Sequence, residues 1–361
     1  MDHENKNEND NKYNNKGLIR YQIVDNTFNH DNALLFVGNG NVDFGCRVAS
    51  CFQSCNLSSC RIGRFASGEI KIPKIKENIR KRDCIIIQSI CISNEFGSVN
   101  DLLMELFVLI DAIRRGSAAS ITVVLPMFPY QRQDRKDCSR APISAGLVAS
   151  FLENQGVSRV ICFDLHAEQI QGFFHIPCDN LYAVNLFTEP YFISYIRENF
   201  KDDNLENLVI VSPDEGGVKR ATRISEKLKK PAAIMYKERN NPGEIRKMIL
   251  MGDVKDKICF MVDDMIDTAG TACRAAQVLK ENGAKEVYMG VCHGVLSKNA
   301  IDKIANSAFN KVIVTNTLPI YERFSAEQCK GKIDVLDVSN LCANAIDRSL
   351  TGQSLSELMD L

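Results

Sequence analysis

The chain has 361 residues, of which 45% are hydrophobic and 25% charged, and these are the proportions of an ordinary globular protein. At about 150 residues per domain, the length predicts two domains. Lys and Arg (44) balance Asp and Glu (45), so no global basic field recruits nucleic acid or an anionic membrane surface. The sequence contains neither a long apolar run typical of a transmembrane helix nor the apolar core of a signal peptide, and we therefore expect a cytosolic location.

The distribution of apolar residues divides the chain into four parts. Residues 1–30 form an Asn-rich tail with too few apolar side chains to offset the entropy of ordering, and we predict that it is disordered. Beyond the tail, short apolar runs alternate with amphipathic stretches. We place an N-terminal domain at 31–183 and a C-terminal domain at 184–348. The remaining segment, 349–361, is expected to pack back on the N-terminal domain.

The apolar runs are continuous rather than alternating, which is typical of buried strands in parallel sheets. A helix is predicted over 100–115, with Asn100 or Asp101 as its N-cap and Gly116 just past its end. The predicted fold class is therefore α/β, with two tandem domains that each consist of a mainly parallel sheet and flanking helices. The predicted strands are 33–37, 84–88, 121–126, 159–163, 208–211, 232–236, 258–262, 286–292, 311–315 and 333–338.

The most specific local pattern is ICFMVDDMIDTAGT at residues 258–271, in which an apolar strand leads into two adjacent carboxylates and a loop of small residues. Ligands bind at the carboxyl ends of strands in such sheets, and a loop that opens a helix directs backbone N–H groups at an anion. Asp263 and Asp264 suit neighbouring hydroxyls or magnesium. A capped helix with solvated acids is the alternative. The residues that suit a phosphate are Asp267, Thr268, Ala269, Gly270 and Thr271.

This motif resembles the ribose-5-phosphate loop that phosphoribosyltransferases share with 5-phosphoribosyl-1-diphosphate (PRPP) synthetases. Four further stretches resemble the PRPP synthetase family, also called ribose-phosphate diphosphokinases, in its phosphate-dependent class. The resemblance implies two domains of the type I phosphoribosyltransferase fold and an enzyme that uses Mg²⁺, ATP and ribose 5-phosphate. The four stretches are PYQRQDRKDCSRAPISA (129–145), FDLHAEQIQGFF (163–174), VSPDEGGVKRA (211–221) and YKERNNPGE (236–244).

The Pro-flanked stretch 129–140 carries four cations against two acids, so it predicts a mobile loop that can close over a triphosphate. A solvated charged turn is the alternative. The resemblance assigns Arg132, Gln133 and Asp137 to ATP, and Arg132 offers the planar fork that suits phosphate oxygens.

His166 follows the strand predicted at 159–163, with Asp164 two residues before it, so an imidazole and a carboxylate emerge at one strand end. A structural histidine is the alternative. The resemblance assigns His166 to the nucleotide phosphates and to magnesium, although His175 stands where relatives commonly have an acid. The carboxylates that it adds to the metal set are Asp164, Asp179 and Asp214.

Two further loops follow predicted strands. Two glycines after the strand 208–211 let backbone amides approach an anion, which predicts a diphosphate loop. Lys237 and Arg239 follow the strand 232–236 and resemble the family's catalytic hairpin, in which they would stabilise charge on the transferred group. A surface cluster of charges is the alternative for this pair. The diphosphate loop comprises Asp214, Glu215, Gly216 and Gly217.

The stretch RFASGE contains Phe65, Ser67 and Glu69, and it resembles a hairpin that binds adenine in a neighbouring subunit's site. Ser67 replaces the usual Asn or Asp. The resemblance thus implies a homo-oligomer, a hexamer built from dimers, with phosphate and ADP as effectors. Apparent insertions at 93–99 and 184–190 depart from it, and the first is expected to weaken the response to the effectors. The candidate regulatory residues are Arg140, Gln171, Asp179, Asn180, Ser354 and Ser356.

Two other functions are compatible with parts of this pattern. A catalytically silent regulatory subunit of a PRPP synthetase would share the fold, but such proteins tend to have altered catalytic loops, whereas Arg132, His166, Lys237 and Arg239 are all present here. A base-using phosphoribosyltransferase would share only the motif at 258–271.

Overall fold

In a computed structural model of the chain, the residues described are 28, 30–53, 56–58, 60–92, 96–184, 187–200, 205–241, 244–320 and 324–359. The predicted disordered tail, 1–30, lies outside them, apart from Phe28 and His30. Parts of both apparent insertions, at 93–99 and 184–190, also lie outside them. None of the helices in the described part combines the length and the apolar character that a bilayer crossing requires.

The N-terminal half is built on a six-stranded sheet in the order β2-β1-β5-β6-β7-β8, and all of its neighbouring strands are parallel. A separate antiparallel pair, β3 and β4, forms a hairpin. The strands of this half are Ala33–Val37 (β1), Asn56–Leu57 (β2), Gly63–Arg64 (β3), Ile70–Lys71 (β4), Asp83–Ile87 (β5), Ser120–Leu125 (β6), Arg159–Phe163 (β7) and Cys178–Leu181 (β8).

The helices of the N-terminal half include Val42–Ser50 (α1), Val99–Arg115 (α2) and Ser144–Asn154 (α3), with a 3₁₀ helix at Glu168–Phe173. Helix α2 begins at Val99, and its N-cap is Ser98 rather than Asn100 or Asp101. Ser98 and Asp101 satisfy each other's backbone N–H groups in a capping box. The predicted cap was wrong because Asn100 and Asp101 lie inside the first turn that Ser98 caps, whereas Gly116 ends the helix as predicted.

The C-terminal half is built on a seven-stranded sheet in the order β11-β10-β9-β12-β13-β14-β15, parallel except for the β10–β11 hairpin. Its strands are Leu208–Ser212 (β9), Ala232–Asn241 (β10), Glu244–Met251 (β11), Ile258–Ile266 (β12), Glu286–Gly294 (β13), Lys311–Thr315 (β14) and Ile333–Leu336 (β15). Its helices are Ser194–Phe200 (α4), Val218–Leu228 (α5), Gly270–Glu281 (α6), Ala300–Ala305 (α7), Ser339–Thr351 (α8) and Ser356–Met359 (α9), with a π-helical turn at Phe187–Ile193.

The fold class is confirmed: each half has a mainly parallel sheet with helices beside it. The strand prediction ended too early at β12, which continues through Asp263 and Asp264 to Ile266. Its backbone stays paired with β13 as far as Gly294, although the apolar run has ended. Strand β10 likewise continues past residue 236 to Asn241, because β11 supplies an antiparallel partner.

One hydrophobic core is shared by the two halves. It contains Leu35 and Phe163 from the N-terminal sheet together with Leu208 and Phe260 from the C-terminal sheet. Phe192, just after the apparent insertion at 184–190, stacks on Phe260 with ring centroids 3.9 Å apart. Burial of this surface is the main force that holds the two sheets together.

Polar contacts also cross between the halves. His293 in β13 is fully buried, and its Nε2 lies 2.9 Å from the carbonyl oxygen of Phe163, while its Nδ1 lies 3.1 Å from Thr317 Oγ1. The Ser89 hydroxyl donates to the carbonyl of Thr317 at 2.8 Å. Strands β7, β9 and β12 therefore have a fixed relation, and the loops after them line one cleft between the halves.

Candidate active site

The cleft between the halves has a volume of about 730 Å³ and is lined mainly by charged and small residues. It brings together four stretches that lie apart in the chain, 132–137, 165–169, 213–223 and 263–272, with Tyr182 and Met289. Among the predicted site residues, those that line it are Arg132, Asp137, His166, Asp214, Glu215, Gly216, Asp263, Asp264, Asp267, Thr268, Ala269, Gly270 and Thr271.

The two adjacent acids at the end of β12 share a buried cation. Arg220, in the first turn of α5, places Nη1 3.4 Å from Asp263 Oδ1 and 3.8 Å from Asp264 Oδ1. Burial followed by the charge of Asp264 raises the pKa of Asp263 well above its usual range. Burial also acts on Asp264, but the hydrogen bond with His166 and the charge of Arg220 outweigh it and lower its pKa. The pair thus holds one firmly ionised carboxylate and one that resists ionisation.

His166 faces this pair from the opposite half. Its Nδ1 lies 2.8 Å from Asp264 Oδ2, and its backbone N–H donates to Gln131 Oε1 at 3.0 Å. The hydrogen bond with Asp264 raises the pKa of His166, against the effect of burial. Within the described part of the chain, Nε2 is the ring nitrogen left to meet a ligand.

The small-residue loop after β12 opens α6 as predicted. Ala269 precedes the helix in the left-handed conformation, with φ of 59°, a strain that non-glycine residues rarely accept. The first N–H groups of a helix have no partner within it, and here they belong to residues that line the cleft. Lys303 Nζ donates to the carbonyl of Thr268 at 3.0 Å and holds the loop from behind. This arrangement suits a bound phosphate.

Asp267 is held by residues from both halves. The Ser297 hydroxyl donates to Oδ1, and Arg132 Nη1 donates to Oδ2 at 2.8 Å. Burial would raise the pKa of Asp267, but the hydrogen bonds from Ser297 and Arg132 lower it. The resemblance assigns Arg132 to ATP. In this structure, Arg132 therefore contacts the loop that was assigned to ribose 5-phosphate.

The predicted diphosphate loop lies between β9 and α5. Asp214 Oδ1 accepts a hydrogen bond from the Gly217 backbone N–H at 3.1 Å, which closes the turn. A Cβ atom on Gly217 would lie 2.9 Å from Ser212 Oγ, so a side chain there would crowd the strand end. Asp214, Glu215 and Gly216 line the cleft, and the described lining does not include Gly217.

Other predicted residues lie away from the cleft lining. Phe65 is exposed at the β3–β4 hairpin, with Lys71 Nζ 5.0 Å from its ring centroid. Ser67 Oγ donates to Glu69 Oε2 at 2.7 Å on the same hairpin. Gln133 accepts a hydrogen bond from the Ser144 hydroxyl at 2.5 Å.

Lys237 and Arg239 lie on β10, where it pairs with β11 beyond the end of β9. Lys237 is opposite Met248 and Arg239 is opposite Ile245, and the register shifts between Glu238 and Arg239. The side chains of 237–241 lie outside the described parts of the structure. Their backbone does form the antiparallel hairpin that the resemblance implied.

The predicted metal residues do not form one cluster. Among the described residues, no three His, Cys, Asp or Glu side chains converge as a metal site. Asp164 is buried, accepts a hydrogen bond from the Ala183 N–H at 2.8 Å, and has its pKa raised to about 6 by burial. Asp179 forms an ion pair with Arg159. Both lie outside the cleft lining, whereas Asp214 and His166 belong to it.

The candidate regulatory residues occupy several places. Asn180 is buried in β8 and accepts a hydrogen bond from the Leu165 N–H at 3.0 Å. Helix α9, which begins at Ser356, packs against β8, and Ser354 Oγ donates to Ser356 Oγ at 3.1 Å. Gln171 donates to the carbonyl of Glu168 at 3.1 Å. Arg140 is exposed, with a φ of 66°.

The sequence analysis did not single out several residues of the cleft wall. Arg220 is the most consequential, and its only sequence signal is its place in the first turn of a helix that follows the diphosphate loop. Glu168 joins the halves through two contacts, in which Lys219 Nζ and Arg223 Nη1 donate to its carboxylate, and Tyr182 Oη of its own half also donates to it. Burial would raise the pKa of Glu168, but these contacts lower it, beginning with the hydrogen bond from Lys219.

Comparisons with known proteins match both halves. Residues 33–156 match a profile described as the N-terminal domain of ribose phosphate pyrophosphokinase, and residues 239–360 match one described as a phosphoribosyl synthetase-associated domain. Ribose-phosphate pyrophosphokinase 2 of Schizosaccharomyces pombe is 45% identical over 91% of this chain and 97% of its own. Ribose-phosphate pyrophosphokinase A of Dictyostelium discoideum is 49% identical over 84% of this chain and 90% of its own.

A solved structure has the same architecture. The phosphoribosylpyrophosphate synthetase from Mycobacterium smegmatis superposes with a TM-score of 0.77 at 38% identity, over 89% of this chain and 99% of its own. The likeness thus extends across both sheets and the cleft between them, and it confirms the two tandem phosphoribosyltransferase-type units. The chain belongs to the ribose-phosphate pyrophosphokinase, or PRPP synthetase, family.

Proposed function

We propose that this chain transfers the β,γ-diphosphoryl group of ATP to the 1-hydroxyl of ribose 5-phosphate, giving PRPP and AMP. The observation that carries the proposal is the cleft, where paired carboxylates and a helix-opening loop from one half face a histidine and an arginine from the other. The names and coverage of the relatives support the same reaction.

Ribose 5-phosphate fits the C-terminal wall. Asp263 and Asp264 are suited to form hydrogen bonds with the ribose 2- and 3-hydroxyls, and the ionised carboxylate of Asp264 is the stronger acceptor of the two. The N–H groups and hydroxyls of the loop from Asp267 to Thr271 would hold the 5-phosphate at the start of α6. The anomeric hydroxyl would then point into the cleft.

The nucleotide fits the N-terminal wall and the diphosphate loop. Arg132 and His166 would bind its phosphates, and the loop at Asp214 would receive the transferred group. The 1-hydroxyl attacks the β-phosphorus in line and no covalent enzyme intermediate is needed, so the residues act by positioning and charge neutralisation. Lys237 and Arg239 would stabilise the charge of the transition state.

The residues of the cleft fit a magnesium ion that arrives with the nucleotide. Mg²⁺ usually keeps several waters and binds through one or two carboxylates plus substrate phosphates, and a cluster of three protein ligands is not required. Asp214 and Asp263 both line the cleft and can supply such carboxylates, with His166 beside them. When bound, the ion would neutralise negative charge on the phosphates.

The oligomer and its regulation are also part of the proposal. Phe65, Ser67 and Glu69 lie on an exposed hairpin outside the cleft, which favours their use in a neighbouring subunit of a homo-oligomer. Phosphate and ADP would act as effectors near Asn180 and Ser356. A cytosolic location is part of the same proposal.

A coupled assay for AMP tests the reaction. Purified protein is incubated with ATP, Mg²⁺ and ribose 5-phosphate, with and without inorganic phosphate, and PRPP is identified by its consumption in a phosphoribosyltransferase reaction. We expect AMP and PRPP in equal amounts, dependent on ribose 5-phosphate. A silent regulatory subunit would form neither product alone. A base-using phosphoribosyltransferase would instead release diphosphate from added PRPP when a nucleobase is present.

A further inference from the structure

The contact between Glu168 and helix α5 joins the two walls of the cleft. Glu168 begins the 3₁₀ helix two residues after His166, in the N-terminal half. Its Oε1 accepts from Arg223 Nη1 at 2.6 Å and from Tyr182 Oη at 3.1 Å, and its Oε2 accepts from Lys219 Nζ. Lys219 and Arg223 are four residues apart, so they lie on one face of α5.

Both ends of this contact are close to proposed substrate-binding groups. Helix α5 starts directly after the diphosphate loop, and its first turn also carries Arg220, which pairs with Asp263 and Asp264. The side chain of Glu168 is about one third exposed, and it lines the cleft together with both cations. A shift of Glu168 relative to α5 would therefore move His166 relative to the ribose-binding wall.

Two other contacts cross the same cleft, from His166 to Asp264 and from Arg132 to Asp267. Each of them uses side chains that the proposed reaction needs for its substrates, so each must rearrange when the substrates bind. Glu168 and Arg223 have no role in that proposed scheme. Their pairing can persist through the reaction while the other two contacts change.

We propose that Glu168 is a positioning residue that fixes the register between the two walls of the cleft through Lys219 and Arg223. This inference rests on the proposed function, because ribose 5-phosphate would be held by the C-terminal half, whereas Arg132 and His166 on the N-terminal half would bind the nucleotide phosphates. Transfer between the two substrates needs the reacting atoms about 3–3.5 Å apart and in line, so a small shift between the halves lowers turnover. Binding of ribose 5-phosphate alone depends on one wall and does not need the register.

The test separates binding from turnover. The variant Glu168→Gln keeps the shape of the side chain and removes its charge. We expect kcat to fall at least about tenfold, whereas the dissociation constant of ribose 5-phosphate alone stays within about twofold. Calorimetric titration gives this constant and the number of binding sites by which kcat is normalised. The control Asp111→Asn, in an exposed pair with Arg115 on α2, is expected to leave kcat unchanged.

Reversal of the pair tests the contact itself. The variant Arg223→Glu alone is expected to lose turnover, and the double variant E168R/R223E is expected to recover a large part of it. A purely structural role would lower the thermal midpoint of the variants without a recovery of kcat per binding site in the double variant. That result would overturn the proposal, as would a kcat for Glu168→Gln within about twofold of the native value.

Two readouts keep this proposal distinct from the proposed function. If the dissociation constant of ribose 5-phosphate changes by the same factor as kcat/KM, Glu168 acts on the ligand through its charge, and the positioning role is wrong. If the native protein forms no PRPP, the proposed function fails instead. Hydrogen exchange still tests the contact in that case, because loss of Glu168 should increase exchange over 165–173 and 214–223, and equal exchange would overturn it.

Discussion

On the C-terminal wall of the cleft, Asp264 exposes 5% of its side chain and Arg220 exposes 13%, whereas on the N-terminal wall Arg132 exposes 57% and His166 exposes 41%. The first wall is built on β12 and the first turn of α5, inside the fold. The second belongs to the segments that follow β6 and β7. The C-terminal wall is therefore an internal charge network that must remain neutralised. The N-terminal wall presents its charges to solvent and can reorganise around a ligand.

This difference follows from where each wall stands in its sheet. Strand β12 is central in the seven-stranded sheet, with β9 and β13 on either side, so its carboxyl end is covered by neighbours. The acids there lose hydration and need Arg220 as a counter-charge. Arg132 instead lies on a loop of alternating charges, where its ion pair with Asp267 remains largely hydrated.

Loss of the buried cation should have the largest effect. Replacement of Arg220 by Met leaves two adjacent carboxylates at the strand end without their counter-charge. Because removal of one partner from a buried ion pair leaves an uncompensated charge, we expect the free energy of unfolding to fall by about 3–5 kcal/mol. Urea titration followed by circular dichroism measures it.

The matched control for this variant is Arg220→Lys, which keeps the charge but loses the planar fork. We expect it to lose less than half of what Arg220→Met loses. If Arg220→Met were as stable as the native chain, Asp263 and Asp264 could share a proton without a nearby cation and without loss of stability. The contrast between a wall that needs a counter-charge and a wall that does not would then be wrong.

A third element, the hairpin formed by β10 and β11, should affect turnover alone. Strand β10 extends beyond the end of β9, so Lys237 lies on a hairpin outside the parallel part of the sheet. Replacement of Lys237 by Ala is expected to lower kcat at least about a hundredfold, with little change in ribose 5-phosphate affinity, because the lysine acts mainly on the transition state. Steady-state kinetics and calorimetric titration measure the two quantities.

Arg197 on α4, which is exposed, offers a control for the loss of a surface cation. Its replacement by Ala should leave kcat unchanged. An unchanged kcat in Lys237→Ala would show that Lys237 has no catalytic role. The charge of the transition state would then have to be neutralised by residues of the two walls.

The sequence was most informative where the site is contiguous. Residues 258–271 carry a strand, two acids and a helix-opening loop in one stretch, so each part could be recognised from its neighbours. Arg220 and Glu168 could not be found this way. Arg220 lies 43 residues from Asp263 within the C-terminal half, and Glu168 lies 55 residues from Arg223 in the other half, so both pairings depend on how distant segments pack.

The errors in element boundaries have two causes. The apolar run ends at Val262, but β12 continues because β13 offers backbone partners as far as Gly294, and side-chain patterns do not report such partners. The cap of α2 was instead open to prediction, because Ser98 and Asp101 have the spacing of a capping box and their hydrogen bonds define the helix start.

The stability that the buried contact of His293 gives to the protein should depend on pH. Burial lowers the pKa of His293 to about 4, below its value of about 6.5 in an unfolded chain. The native state therefore binds this proton less readily, and the stability it gives is present above pH 6.5 and is lost as the pH falls towards 4. We expect a loss of about 1.4 kcal/mol per pH unit in that window.

The variant His293→Gln isolates this contribution, because other titrating groups, including His166, are common to both proteins. The stability difference between the native chain and the variant should shrink as the pH falls from 7 to 5, measured by urea titration at each pH. A difference that stays constant would mean that His293 is not buried in its neutral form between the halves.

The exposed pair across the cleft should have the smallest effect on stability. Arg132 contributes to an ion pair with Asp267 at 2.8 Å, but more than half of its side chain is exposed, and such pairs contribute about 0–1 kcal/mol. Replacement of Arg132 by Met should therefore change the free energy of unfolding by less than about 1 kcal/mol, in contrast to Arg220→Met, although each variant removes one arginine from an aspartate. The same replacement should weaken binding of magnesium α,β-methylene-ATP, because the arginine would leave Asp267 and contact the phosphates.

Arg115→Met, which also breaks an exposed pair, is the control and should alter neither quantity. A large loss of stability in Arg132→Met, with nucleotide binding intact, would show that this arginine fastens the two walls together and does not serve the nucleotide.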